Sequence, residues 1–122
     1  YALCLYDESG TPTLVTGAVL PGGGTCKAGK PCWKALGTSG FAYGDGDGVR
    51  FGIQSVKLKA GVDGKAQVKI QGRGPTSPVP ALPAPLPLRL QLIADNGQCW
   101  QSVFSAAGLH RNDVERFQGK SD

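Results

Sequence analysis

Across residues 65–71 the apolar positions Ala66, Val68 and Ile70 alternate with Lys65, Gln67, Lys69 and Gln71. A period of two puts each set on its own face of a pleated strand, so the segment predicts one buried and one wet face. Residues 53–60 repeat the period, with Val56, Leu58 and Ala60 inward and Ser55, Lys57 and Lys59 outward. Gly61-Val62-Asp63-Gly64 between them reads as a hairpin loop with glycine at both ends. A second hairpin is predicted from residues 86–94, the pair Asn96-Gly97 and residues 99–104, because Asn-Gly suits a primed turn needing positive φ twice.

Residues 1–6 set Tyr1, Leu3 and Leu5 against Ala2, Cys4 and Tyr6, apolar on both faces, as in a strand covered on both sides or lying in a seam. Residues 13–20 are β-branched and apolar until Pro21-Gly22-Gly23-Gly24 ends the run, since proline lacks a ladder donor and glycine has no side chain to pack. Phe41-Ala42-Tyr43 is a short apolar piece ahead of the loop Gly44-Asp45-Gly46-Asp47-Gly48. Residues 72–87 hold Pro75, Pro78, Pro80, Pro83, Pro85 and Pro87 interleaved with Val79, Leu82 and Leu86, which predicts an extended edge or crossover packed on the core rather than a flexible linker. Asn112, ahead of Asp113-Val114-Glu115-Arg116-Phe117, is expected to cap one or two helical turns. Together these signals predict seven or eight short strands in an all-β, antiparallel β-sandwich, immunoglobulin-like or related. The tryptophans depart from antibody spacing, following cysteine directly in Cys32-Trp33 and Cys99-Trp100.

Composition narrows this picture to one domain over residues 1–122: 40% apolar content is too high for disorder, and 19 glycines with 9 prolines favour turns and short strands. No apolar run reaches the length of a membrane span. Starting at Tyr1 without methionine or a signal-like front, the chain is expected to be a processed or excised fragment. Thirteen Lys and Arg against nine Asp and Glu give +4, spread from Lys27 to Lys120, which predicts a solvated basic surface. Such a surface permits weak association with acidic polysaccharide or anionic surfaces where the fold clusters the charge; nucleic-acid binding is not expected.

Cys4, Cys26, Cys32 and Cys99 form an even set without zinc-site spacing and with a single histidine, so disulfides are expected. Of the three possible pairings we expect Cys26 with Cys32, which leaves Cys4 with Cys99. Disulfides persist in an oxidising compartment, so the protein is expected to be secreted, periplasmic or surface-displayed.

Catalytic signals are thin. His110 has no nucleophile-elbow serine to serve, and Glu8 and Glu115 are the only glutamates, so neither an enzyme nor a cofactor is expected. Asp45 and Asp47 superficially suggest a calcium loop, but Val49-Arg50-Phe51 follow where further acidic ligands belong, and a tight glycine turn is the preferred reading. Binding is better supported: Tyr6, Tyr43, Trp33 and Trp100 offer flat amphipathic rings for sugars or a protein partner, against the alternative that nine aromatics are spent in the core. A further alternative is a self-assembling subunit of an extracellular filament, with Tyr1, Leu3 and Leu5 donated as a strand into a neighbouring copy.

Lys30-Pro31-Cys32-Trp33-Lys34, Gly40-Phe41-Ala42-Tyr43, Leu58-Lys59-Ala60-Gly61 with Gly64-Lys65-Ala66, Gly97-Gln98-Cys99-Trp100 with Phe104-Ser105, and Phe117-Gln118-Gly119-Lys120-Ser121-Asp122 are spread along most of the chain. In these motifs the sequence resembles a C-terminal domain of uncharacterised secreted bacterial proteins. The resemblance implies a disulfide-bearing β domain at the end of a longer exported protein and transfers no activity to any residue. The expected role is a non-catalytic extracellular module for binding, adhesion or structural display.

Overall fold

The computed structural model describes residues 1–73 and 80–122, which are all-β. Its strands are β1 (Ala2–Asp7), β2 (Thr13–Val19), β3 (Trp33–Ala35), β4 (Gly40–Gly44), β5 (Ile53–Lys59), β6 (Gln67–Gly72), β7 (Leu88–Ile93), β8 (Cys99–Phe104), β9 (Leu109–Asn112) and β10 (Phe117–Gly119). All their pairings are antiparallel, and the ten described strands exceed the seven or eight expected. The chain divides into two compact units, Tyr1–Leu20 with Val79–Asp122, and Pro21–Pro78.

In the first unit the strand order is β2-β1-β7-β8, with a separate β9-β10 hairpin. Leu3 lies opposite Ala18 on one side and Leu92 on the other, and all three are buried, as is Leu88. The opposite face is polar enough to stay wet: Arg89 lies over the Tyr6 ring at 4.6 Å and ion-pairs with Glu8, and Gln91 donates to Gln101. The predicted Asn-Gly hairpin is present with a different turn. Only Gly97 has positive φ, at 85°; Gly97 N–H donates to Ala94 C=O, and Ala94 N–H to Gln98 C=O. This is a three-residue loop, a turn closed by left-handed glycine, so Asn96 needs no positive φ.

Two further expectations are corrected here. Residues 113–116 form no helix: Asp113 Oδ1 accepts the N–H groups of Glu115 and Arg116, and Asp113 N–H donates to Arg116 C=O, closing the β9-β10 hairpin. Asn112 serves instead as a clamp, its amide accepting from Ala84 N–H at 2.7 Å and donating to Ala84 C=O at 2.8 Å, which satisfies the backbone of a buried residue. Cys4 and Cys99 are both free thiols, so the expected bridge between them is absent. Cys4 pairs with Gln91 and Cys99 with Ile93, which leaves β7 between them. Two strand spacings amount to about 10 Å, beyond the roughly 7 Å Cα separation that a disulfide spans.

Of the proline-rich segment, Pro75, Pro78 and Val79 lie outside the described residues. Its later part is packed as expected, with Pro80 and Ala84 buried.

The second unit is a meander in chain order, β3-β4-β5-β6. The period-two reading of its main hairpin holds in register, with Val56 opposite Ile70, Lys57 opposite Lys69 and Leu58 opposite Val68. Burial falls away towards the edge: Val56 is buried, Leu58 and Ile70 are half-buried, and Val68 and Ala60 are exposed. Ile53, Val56 and Tyr43 form the buried apolar centre. No helix among the described residues is long and apolar enough to cross a membrane.

Candidate functional site: a cationic pocket around a cystine loop

The chemistry-bearing side chains of the second unit gather where the cysteine loop meets β4. Cys26 and Cys32 are disulfide-bonded as expected. Their loop is tied by Cys26 N–H to Lys30 C=O at 2.8 Å, and the Thr25–Pro31 bridge closes its neck. Such a short loop demands a left-handed bend, taken by Ala28 at φ 58° and Gly29 at φ 69°; alanine accepts this at some cost, since its Cβ crowds the backbone there. Gly44 N–H then donates to Cys32 C=O at 2.9 Å and docks the loop on the end of β4.

A pocket of about 220 Å³ opens at this junction, lined by Cys26, Lys27, Lys30, Cys32, Lys34 and Tyr43 among others. The three lysines are exposed. Among the described residues the ion pairs of Glu8 with Arg89, and of Arg111 with Asp113 and Glu115, leave Lys27, Lys30 and Lys34 out. The lysines follow from the loop itself: a six-residue cysteine spacing closed on its neck brings Lys27 and Lys30 to one rim, while β3 supplies Lys34.

Asp45 and Arg50 brace residues that line the pocket. Asp45 is 3% exposed, and its Oδ2 accepts from Tyr43 Oη–H at 3.4 Å and from Arg50 N–H at 3.3 Å. Burial pushes the Tyr43 phenol above its ordinary value, with the nearby Asp45 charge adding to the effect. The turn after Asp45 is fixed by Gly48 N–H to Asp45 C=O at 2.9 Å and Gly52 N–H to Gly48 C=O at 3.0 Å. It delivers the Arg50 guanidinium to the cystine, with Nη1 at 3.2 Å from Cys26 Sγ and 3.0 Å from Cys32 Sγ.

The other candidates separate. Trp33 and Tyr43 come together, their rings 5.3 Å apart and tilted by 57°, with Trp33 Nε1–H donating to Pro21 C=O. Tyr43 is only 2% exposed, which withdraws it from an open aromatic platform; its ring is core because β4 turns it inward beside Val56. Trp100 belongs to the first unit and is exposed on β8. The calcium reading loses its geometry. Asp45 is turned inward to Tyr43 and Arg50, Asp47 is exposed, and the described residues hold no group of three or more His, Cys, Asp or Glu placed for a metal ion. His110 lies exposed on β9. Tyr1, Leu3 and Leu5 occupy or adjoin β1, which is paired on both sides within its own chain, and the Tyr1 amino group donates to Leu20 C=O at 3.0 Å.

Sequence reading singled out the cysteines, Tyr43 and Asp45, and missed the lysine rim and Arg50. Arg50 stands 18 and 24 residues from the two sulfurs, and no local spacing announces a contact made by a turn folding back.

No protein-family model, curated protein or solved structure matches the chain.

Proposed function

We propose that the chain is a non-catalytic extracellular module that binds an anionic surface polysaccharide through the pocket at the Cys26–Cys32 loop. The observation that carries this reading is the set of three lysines, Lys27, Lys30 and Lys34, at one pocket, none of them ion-paired with a carboxylate among the described residues. Spread charge on a basic protein is a solvation device, whereas charge gathered on a braced loop gives carboxylate or sulfate groups a fixed target. The disulfide supports the extracellular part of the proposal, because it persists in an oxidising compartment. A sandwich arrangement of the antiparallel sheets and the resemblance to domains of secreted bacterial proteins are parts of the same proposal.

The test is binding of the purified chain to arrays of acidic and neutral polysaccharides and to whole bacterial cells, at low and at physiological salt. Acidic glycans are expected to bind and neutral ones not. Replacing Lys27, Lys30 and Lys34 together by glutamate is expected to weaken binding about 10- to 100-fold, since each exposed charge contributes about 1 kcal/mol or less. Equal binding of acidic and neutral glycans, or an unaffected triple variant, overturns the assignment.

A further inference from the structure

The cystine carries more than a brace requires. A disulfide sulfur is a weak hydrogen-bond acceptor, so an arginine set against both sulfurs gains little while the bond is intact. The same guanidinium beside a thiolate makes a charge-assisted hydrogen bond, about twice as strong as a neutral one. Arg50 is therefore placed where it favours the species formed when the bond opens.

Its placement is built. The buried Asp45 carboxylate holds Arg50 N–H, Ile53 N–H donates to Arg50 C=O at 3.1 Å, and Phe51 next to it is held at φ 56°, a left-handed conformation that bulky residues avoid. The two cysteines also differ in exposure. Both line the lysine-rimmed pocket, but Cys32 is 3% exposed whereas Cys26 is half-buried.

We propose that Cys26–Cys32 is a thiol–disulfide exchange site for anionic low-molecular-weight thiols, with Cys26 the sulfur attacked and Cys32 the leaving group. The incoming thiol loses its proton to solvent, and its thiolate, drawn by Lys27, Lys30 and Lys34, attacks Cys26 Sγ. A mixed disulfide forms on Cys26 as the Cys26–Cys32 bond breaks, and the electron pair leaves on Cys32 Sγ against Arg50. A second thiol of the same class attacks the mixed disulfide, releasing the oxidised low-molecular-weight disulfide and leaving Cys26 and Cys32 reduced. This goes beyond glycan binding, because it rests on Arg50 and the two sulfurs.

The experiment treats the oxidised, folded chain with reduced glutathione, with neutral 2-mercaptoethanol and with cationic cysteamine, quenches with acid, and maps adducts by peptide mass spectrometry. The glutathionyl group is expected on Cys26, faster than cysteamine at low salt, with the preference lost at high salt. Arg50→Gln is expected to slow exchange with all three thiols about 10-fold, since a leaving thiol of higher pKa departs more slowly. The lysine-to-glutamate triple variant is expected to keep its rate with 2-mercaptoethanol, so that a failed glycan assay and a failed exchange assay are told apart. An adduct on Cys32, exchange only in denaturant, or an Arg50→Gln variant reacting at the parent rate overturns the proposal. Should Arg50→Gln not fold, the pH dependence of Cys32 alkylation in the reduced parent chain decides: a midpoint below about 8.5 supports it, and one at or above that value overturns it.

Discussion

The sheets β2-β1-β7-β8 and β3-β4-β5-β6 each use four antiparallel strands and reach order by different means. In the first, β1 pairs with β2 through a short turn and with β7 more than eighty residues away, so its buried row of Ala18, Leu3 and Leu92 depends on closing a long loop. It has two free thiols and no disulfide among its described residues. In the second, every pairing joins neighbours in sequence, the buried centre is small, and a cystine and a buried carboxylate fix the loops around it. The difference teaches where cross-links are spent: long-range pairing encloses its own core, whereas a meander with an exposed edge gains from tying down its loops.

The largest expected effects come from the two cores. Ile53→Ala and Leu88→Ala each empty a site that is at most 1% exposed, and each is expected to cost about 2–5 kcal/mol. Hydrogen exchange read strand by strand is the sharper readout. Ile53→Ala should speed exchange in β4 and β5, and Leu88→Ala in β1 and β7; identical protection loss in both sheets from either variant would erase the distinction.

A smaller effect is expected from Asn112→Ala, which leaves the N–H and C=O of buried Ala84 without partners. Urea unfolding should show a loss of about 1–3 kcal/mol, and Asn112→Asp, which keeps an acceptor and loses the donor, a partial one. An unchanged midpoint in Asn112→Ala would mean that water replaces the clamp.

The smallest effect is one of pH. Burial raises the Tyr43 phenol, so the folded state holds the proton more tightly than the unfolded chain does. That contribution to stability is complete below about pH 10, the unfolded value, and is lost as pH rises through the higher folded value. Ultraviolet titration should show one of the three tyrosines ionising late, and Tyr43→Phe should remove that step. A single step at the ordinary value in the parent chain would contradict the burial of Tyr43.

Much of the fold was legible in the chain. Alternation at residues 53–60 and 65–71 placed β5 and β6, and the glycine at 97 placed the β7-β8 turn, because strand period and turn chemistry are local properties. The same local logic misread residues 112–117. An Asn followed by a short charged run suits a helix cap and a hairpin turn alike, and the choice was made by the Ala84 backbone that Asn112 holds. Cysteine parity found the Cys26–Cys32 bridge and misassigned Cys4 with Cys99, since parity counts sulfurs without knowing that β7 lies between them.

By itself, then, the sequence determined antiparallel β structure, the main hairpins, the local cystine and a basic surface, all of which rest on residue type and short-range spacing. The tertiary structure alone decided which cations share a pocket, which way Asp45 and Tyr43 face, and that Arg50 meets both sulfurs. Those are contacts between segments far apart in sequence, and only the folded path of the chain fixes the distances that give them chemical meaning.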